Sequence, residues 1–162
     1  MIRILVLAVV LLPTLAHGAE CTLNNAQYSQ VDGSWRLNFL PVPVSAASNQ
    51  TAAFRLEFPN SGLLVDGAVY RPNGFGNPIY ILDGPCGPDS AARCAFVEGA
   101  SPTIYAGTAD GITLLDDETE GAAAPPQVLL PELSVSMWYS NYRSDEFVDS
   151  VGGDVFALVG CD

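Results

Sequence analysis

Residues 54–62 read FRLEFPNSG. Phe54, Leu56 and Phe58 alternate with Arg55 and Glu57, so an extended chain puts three apolar side chains on one face and two charges on the other. Pro59-Asn60-Ser61-Gly62 then ends the run with turn formers. One face buried and one face wet is the mark of an antiparallel sheet. The same alternation recurs in Trp35-Arg36-Leu37-Asn38-Phe39 and in Leu133-Ser134-Val135-Ser136-Met137. Shorter candidate strands cover 63–70, 79–82, 94–98, 103–106, 112–115, 127–130 and 154–161. Residues 22–30 are mostly polar and offer no obvious N-terminal donor strand.

Turn signals punctuate these runs at Asp32-Gly33, Asp66-Gly67, Asn73-Gly74, Asp83-Gly84 and Asp110-Gly111. Only 144–151 offers a helix, with Ser144 as cap and Asp145 and Glu146 in the first turn. Many short strands between close turns predict an all-β fold, an antiparallel β-sandwich with a small closed or half-closed β-barrel as the alternative.

The first 18 residues predict a secretory signal peptide. Arg3 supplies a positive start, residues 4–15 are almost unbroken apolar, and Ala16-His17-Gly18 places small residues for cleavage. The apolar run is well short of the ~20 residues that span a bilayer. Glu20 before Cys21 argues against a lipid anchor. Residues 19–162 are then a single all-β domain, exported to a periplasmic or extracellular space, with no integral membrane segment after cleavage. Loss of Arg3 takes the net charge from −12 to −13, and the chain has no lysine. So acidic a surface repels phosphate backbones, which excludes nucleic acid, and it favours a basic protein or a cation.

Four cysteines in an exported chain predict disulfides. Spacing favours Cys86–Cys94, across the loop GPCGPDSAARCAF, and Cys21–Cys161, which ties the two ends together. The spacing of Cys86 and Cys94 is neither a zinc pattern nor a thioredoxin-like one. His17 leaves with the signal, so the mature chain has no histidine, no lysine and no free thiol. That removes Ser-His-Asp and Cys-His catalysis, Schiff-base chemistry and histidine-ligated metals. Only a two-carboxylate glycoside hydrolase stays open as an enzyme, with Asp66, Asp83, Glu98 and Asp110 to choose from.

No cofactor is expected. Asp116, Asp117, Glu118 and Glu120 are weak calcium candidates, because the run lacks the spacing of an ordered calcium loop. Exposed aromatics are the other lead. Trp138, Tyr142 and Arg143 form one candidate ligand-binding group, and Phe75 at the tip of a glycine-rich loop is a second. The expectation is therefore an exported, non-catalytic binding protein whose partner is a basic protein, a glycan or a cation. The alternatives are a carboxylate-only hydrolase and a structural or assembly subunit of the cell envelope.

Overall fold

The structure is a computed structural model, and it describes residues 21–74, 76–87, 90–96, 102–140 and 152–162. The predicted signal at 1–18, the predicted helix at 144–151, Phe75, Glu98, Tyr142 and Arg143 lie outside the described residues. Ten strands form one antiparallel sheet: β1 Ala26–Gln30, β2 Arg36–Leu40, β3 Gln50–Phe58, β4 Leu63–Tyr70, β5 Ile79–Pro85, β6 Arg93–Ala95, β7 Tyr105–Thr108, β8 Gly111–Leu114, β9 Gln127–Leu129 and β10 Val155–Cys161. Their order across the sheet is β6-β5-β4-β3-β2-β1-β10-β9-β7-β8. One helix, α1 Leu133–Tyr139, follows β9. No helix among the described residues is long and apolar enough to cross a membrane.

The fold is all-β and disulfide-stapled, as expected, but its two layers belong to one continuous sheet. That sheet curls over a single core of Tyr28, Trp35, Leu37, Phe39, Phe54, Leu56, Phe58, Tyr80, Val128, Leu130 and Phe156, among others. The stretch leading into β7 reaches back to the start of β5. Tyr80 N–H donates to Pro102 C=O and Ile104 N–H to Pro78 C=O, both at 3.0 Å. The architecture thus lies between the sandwich and the half-closed barrel. Both disulfides form as paired in the sequence reading, Cys21–Cys161 with Cα atoms 5.7 Å apart and Cys86–Cys94 with Cα atoms 4.9 Å apart.

Alternation in residues 54–58 places Phe54, Leu56 and Phe58 inward, each at 1% exposure or less. Trp35, Leu37 and Phe39 do the same from the neighbouring strand. Rings then meet edge to face, Trp35 with Phe58 at 4.7 Å and Tyr28 with Phe39 at 5.9 Å. Two local readings are corrected and one strand is added. Residues 133–137 form a helix, because Leu133 and Met137 also satisfy an i, i+4 spacing and are the two residues it buries. Residues 26–30 form a strand whose inward positions include a polar residue, Gln30. In β10, where alternation predicts Val155, Ala157 and Val159 on a core-facing side with Cys161, it is Phe156 and Leu158 that meet the core, whereas Val159 and Cys161 are exposed. With apolar residues on both faces, alternation there had no preferred phase.

Asp66-Gly67 and Asp83-Gly84 are not turns. Both lie inside strands, where each glycine makes room for an aromatic ring. A Cβ on Gly67 would sit 2.1 Å from Cε2 of Phe54, its cross-strand partner, and one on Gly84 would sit 2.6 Å from Cε2 of Phe96. Gly67→Ala should therefore destabilise by about 1–3 kcal/mol through overpacking. That outweighs the ~0.4–1 kcal/mol that a Gly→Ala change gains by restricting the unfolded chain. Urea unfolding with Gly87→Ala as reference checks this, since a Cβ on Gly87 would meet open space and its φ is not positive. A Gly67→Ala protein as stable as wild type would show that Phe54 moves aside freely.

Two buried phenols set an alkaline limit on the fold. Tyr28 donates to Pro125 C=O at 3.0 Å and Tyr80 to Pro131 C=O at 2.5 Å. Burial pushes both well above the ordinary tyrosine range, and for Tyr80 the charges of Asp154 and Glu132 add to the effect. The unfolded chain then loses these protons first. Stability should be complete below about pH 10 and fall as pH rises beyond it. With no lysine and no free thiol, tyrosines are the common side chains that titrate in that range. Denaturant midpoints at pH 8 and pH 11 test this, and equal midpoints would contradict it.

Candidate functional site

Helix α1 is held by groups distant in sequence. Asp154, just before β10, accepts from Glu132 N–H at 2.8 Å, from Ser134 N–H at 2.9 Å and from the Ser134 hydroxyl. Tyr80 fixes Pro131 from the side of β5. These contacts satisfy backbone donors that a helix start otherwise leaves open. They also let Glu132 adopt a left-handed conformation with φ 68°.

One stripe of α1 faces a cleft of about 390 Å³, whose opposite wall is the disulfide hairpin of β5 and β6. Val135, Ser136 and Tyr139 share one face of α1, and with Glu132 just before the helix they line the helix side. Pro85, the Cys86–Cys94 bridge, Ala95 and Phe96 line the other. Tyr139 is 78% exposed and Val135 57%, which is unusual for such residues on a helix that packs on a core. The cleft thus sets a carboxylate and a phenol ring against a covalently stiffened wall. Trp138 is 38% exposed on the same helix but is not among the cleft's lining residues.

Two of the candidate catalytic carboxylates do come together. Asp66 and Asp83 are register partners on the outer face of β4 and β5, beside a concavity of about 400 Å³. Arg93 donates to both, from Nη2 to Asp66 at 3.0 Å and from Nε to Asp83 at 2.9 Å. Arg55 donates to Asp66 from Nε at 2.9 Å and from Nη2 at 2.8 Å. The hydrogen bond to Asp83 heads the causes that raise the Arg93 guanidinium above its ordinary value, so that cation is permanent. Both carboxylates already serve as acceptors in this network. Asp110 sits apart in the turn between β7 and β8.

The acidic run also has its own cation. Asp117 is buried, accepting from Arg71 Nη2 at 2.5 Å, from Arg71 Nε at 3.1 Å and from the Thr51 hydroxyl. Glu118 lies 3.2 Å from the same Arg71. Asp116 accepts from Thr119 N–H at 3.3 Å within its own loop. Asp116, Asp117, Glu118 and Glu120 do line one recess, of about 150 Å³. Among the described residues, however, no group of three or more potential metal ligands converges.

Glu132 and Tyr139 escaped the sequence reading because the strand expected at 133–137 starts after Glu132 and ends before Tyr139, so neither is placed on a shared face. No family model, no curated protein and no solved structure matches this chain.

Proposed function

We propose that this chain is an exported, non-catalytic binding protein whose partner is a basic protein, and that the cleft beside α1 seats a lysine or arginine side chain of that partner. The observation that carries this reading is the placement of Glu132, just before α1, and Tyr139, at its end, in one cleft facing the Cys86–Cys94 hairpin. A carboxylate pairs with an ammonium or guanidinium, and an aromatic face adds about 0.5–2 kcal/mol of cation–π attraction. The net charge of −12 supports it by steering basic partners toward the surface. The two disulfides suit an oxidising compartment, in line with the leader-like residues 1–18.

A thermal-shift panel tests it with tetra-arginine and tetra-lysine peptides, calcium with and without chelator, and representative glycans. At 100 times its Kd a ligand adds about 2.7 kcal/mol, or roughly 5–10 °C for a domain of this size. A shift is expected with the cationic peptides, lost in both Tyr139→Ala and Glu132→Gln. No shift with either peptide, or a glycan shift that Tyr139→Ala leaves intact, would sink the proposal.

A further inference from the structure

The two edges of the sheet differ in how they are finished. The β6 edge is three residues long, carries the ion-paired Arg93 and is pinned by the Cys86–Cys94 bridge. Charge and shortness are the usual protections against a further strand. The β8 edge has neither charge, proline nor bulge within its sequence Gly-Ile-Thr-Leu. Among the described residues no strand pairs with its outer side. Its phase follows from Leu115 N–H, which donates to Ile104 C=O at 3.5 Å. Antiparallel bonding alternates, so Gly111 and Thr113 direct their backbone groups to β7, while Ile112 and Leu114 direct theirs outward. Those two side chains are 66% and 41% exposed. Leu114 also begins an outward-facing row of cross-strand partners, Leu114, Tyr105, Leu129 and Val155.

Charge decides what fits this edge. Asp110 precedes the strand and Asp116 follows it. A second copy using both outward residues must pair antiparallel about Thr113. That register brings Asp110 of each copy to the end where Asp116 of the other leaves the strand. Like charges so placed repel. A segment with lysine or arginine at both ends meets the same two carboxylates favourably.

We propose that β8 is a strand-addition site for an extended segment of a basic partner, with alternating apolar residues between flanking cations. Backbone bonds to Ile112 and Leu114 supply the affinity, and one apolar side chain extends the row that starts at Leu114. This site shares only the sign of the partner's charge with the cleft beside α1, and it is tested separately.

The probes are two synthetic peptides, Lys-Thr-Val-Thr-Val-Thr-Lys and its analogue with glutamate at both ends, each blocked at its termini. Calorimetry should show the first binding to wild type, weakening as salt rises, and the second not. Leu114→Pro removes an outward donor without touching the β7 ladder, and should weaken binding about tenfold or more. If that variant folds poorly, Asp110→Asn with Asp116→Asn should still reduce both affinity and its salt dependence. In the Tyr139→Ala background, which removes the cleft's hold on lysine, hydrogen exchange at the Ile112 and Leu114 amides should still slow on adding the lysine peptide. Equal binding of both peptides, no binding to wild type up to about 1 mM, unchanged Ile112 and Leu114 exchange, or a stable dimer by light scattering would overturn the proposal.

Discussion

Replacing Cys21 and Cys161 by serine is expected to lower the unfolding free energy by up to about 5 kcal/mol, or roughly 10–20 °C in Tm. The bond spans a sequence separation of 140, so it removes the largest loop-closure entropy from the unfolded chain. It also sits where the sheet is least local. Strands β1 and β10 come from opposite ends of the described chain, yet they are neighbours, with Ala26 opposite Cys161. Their pairing joins the β2–β6 side of the sheet to the β7–β9 side. The Cys86–Cys94 bond, at a separation of 8, closes only a hairpin at an edge and should cost about half as much. Chemical denaturation of both double variants measures the contrast. A Cys21→Ser/Cys161→Ser protein within about 1 kcal/mol of wild type would mean that the β1–β10 junction holds without its clamp.

Arg71→Leu should cost about 3–5 kcal/mol, because it strands the Asp117 carboxylate at a site where its side chain has no solvent exposure. Arg71 links several segments at once. Its backbone N–H donates to Asn49 C=O at 3.0 Å, its Nη1 to Gly76 C=O at 2.9 Å, and its remaining donors meet the acidic run. Much of the loss should return in the double variant Arg71→Leu/Asp117→Leu, since exchanging a whole buried pair for apolar groups is far milder than removing one partner. A single variant no weaker than the double one would show that Asp117 is not held by charge.

The parts of this structure legible in the sequence were those with a local cause. Phe54, Leu56 and Phe58 declared a strand, its phase and its buried face, and Asp110-Gly111 declared a hairpin turn. The parts that were not legible depend on partners far along the chain. Leu133 and Met137 fit either a strand or one helical face, and Asp154, 20 residues beyond Ser134, supplies the cap that completes the helix. Asp66-Gly67 and Asp83-Gly84 read as turns until Phe54 and Phe96 explain why each strand needs a glycine. Asp116 to Glu120 read as cation ligands because Arg71, 46 residues before Asp117, carries no local mark of its role. The cleft beside α1 follows from the same limit, since Ser136 and Tyr139 share a face only on a helix.

Asp66 and Asp83 are members of an arginine network, and the proposed function is binding without catalysis. Incubation with soluble and insoluble polysaccharides, followed by measurement of reducing ends released, tests it most directly. The expected result is no release above the buffer blank, for wild type and Asp66→Asn alike. Release by wild type that Asp66→Asn or Asp83→Asn abolishes would contradict it.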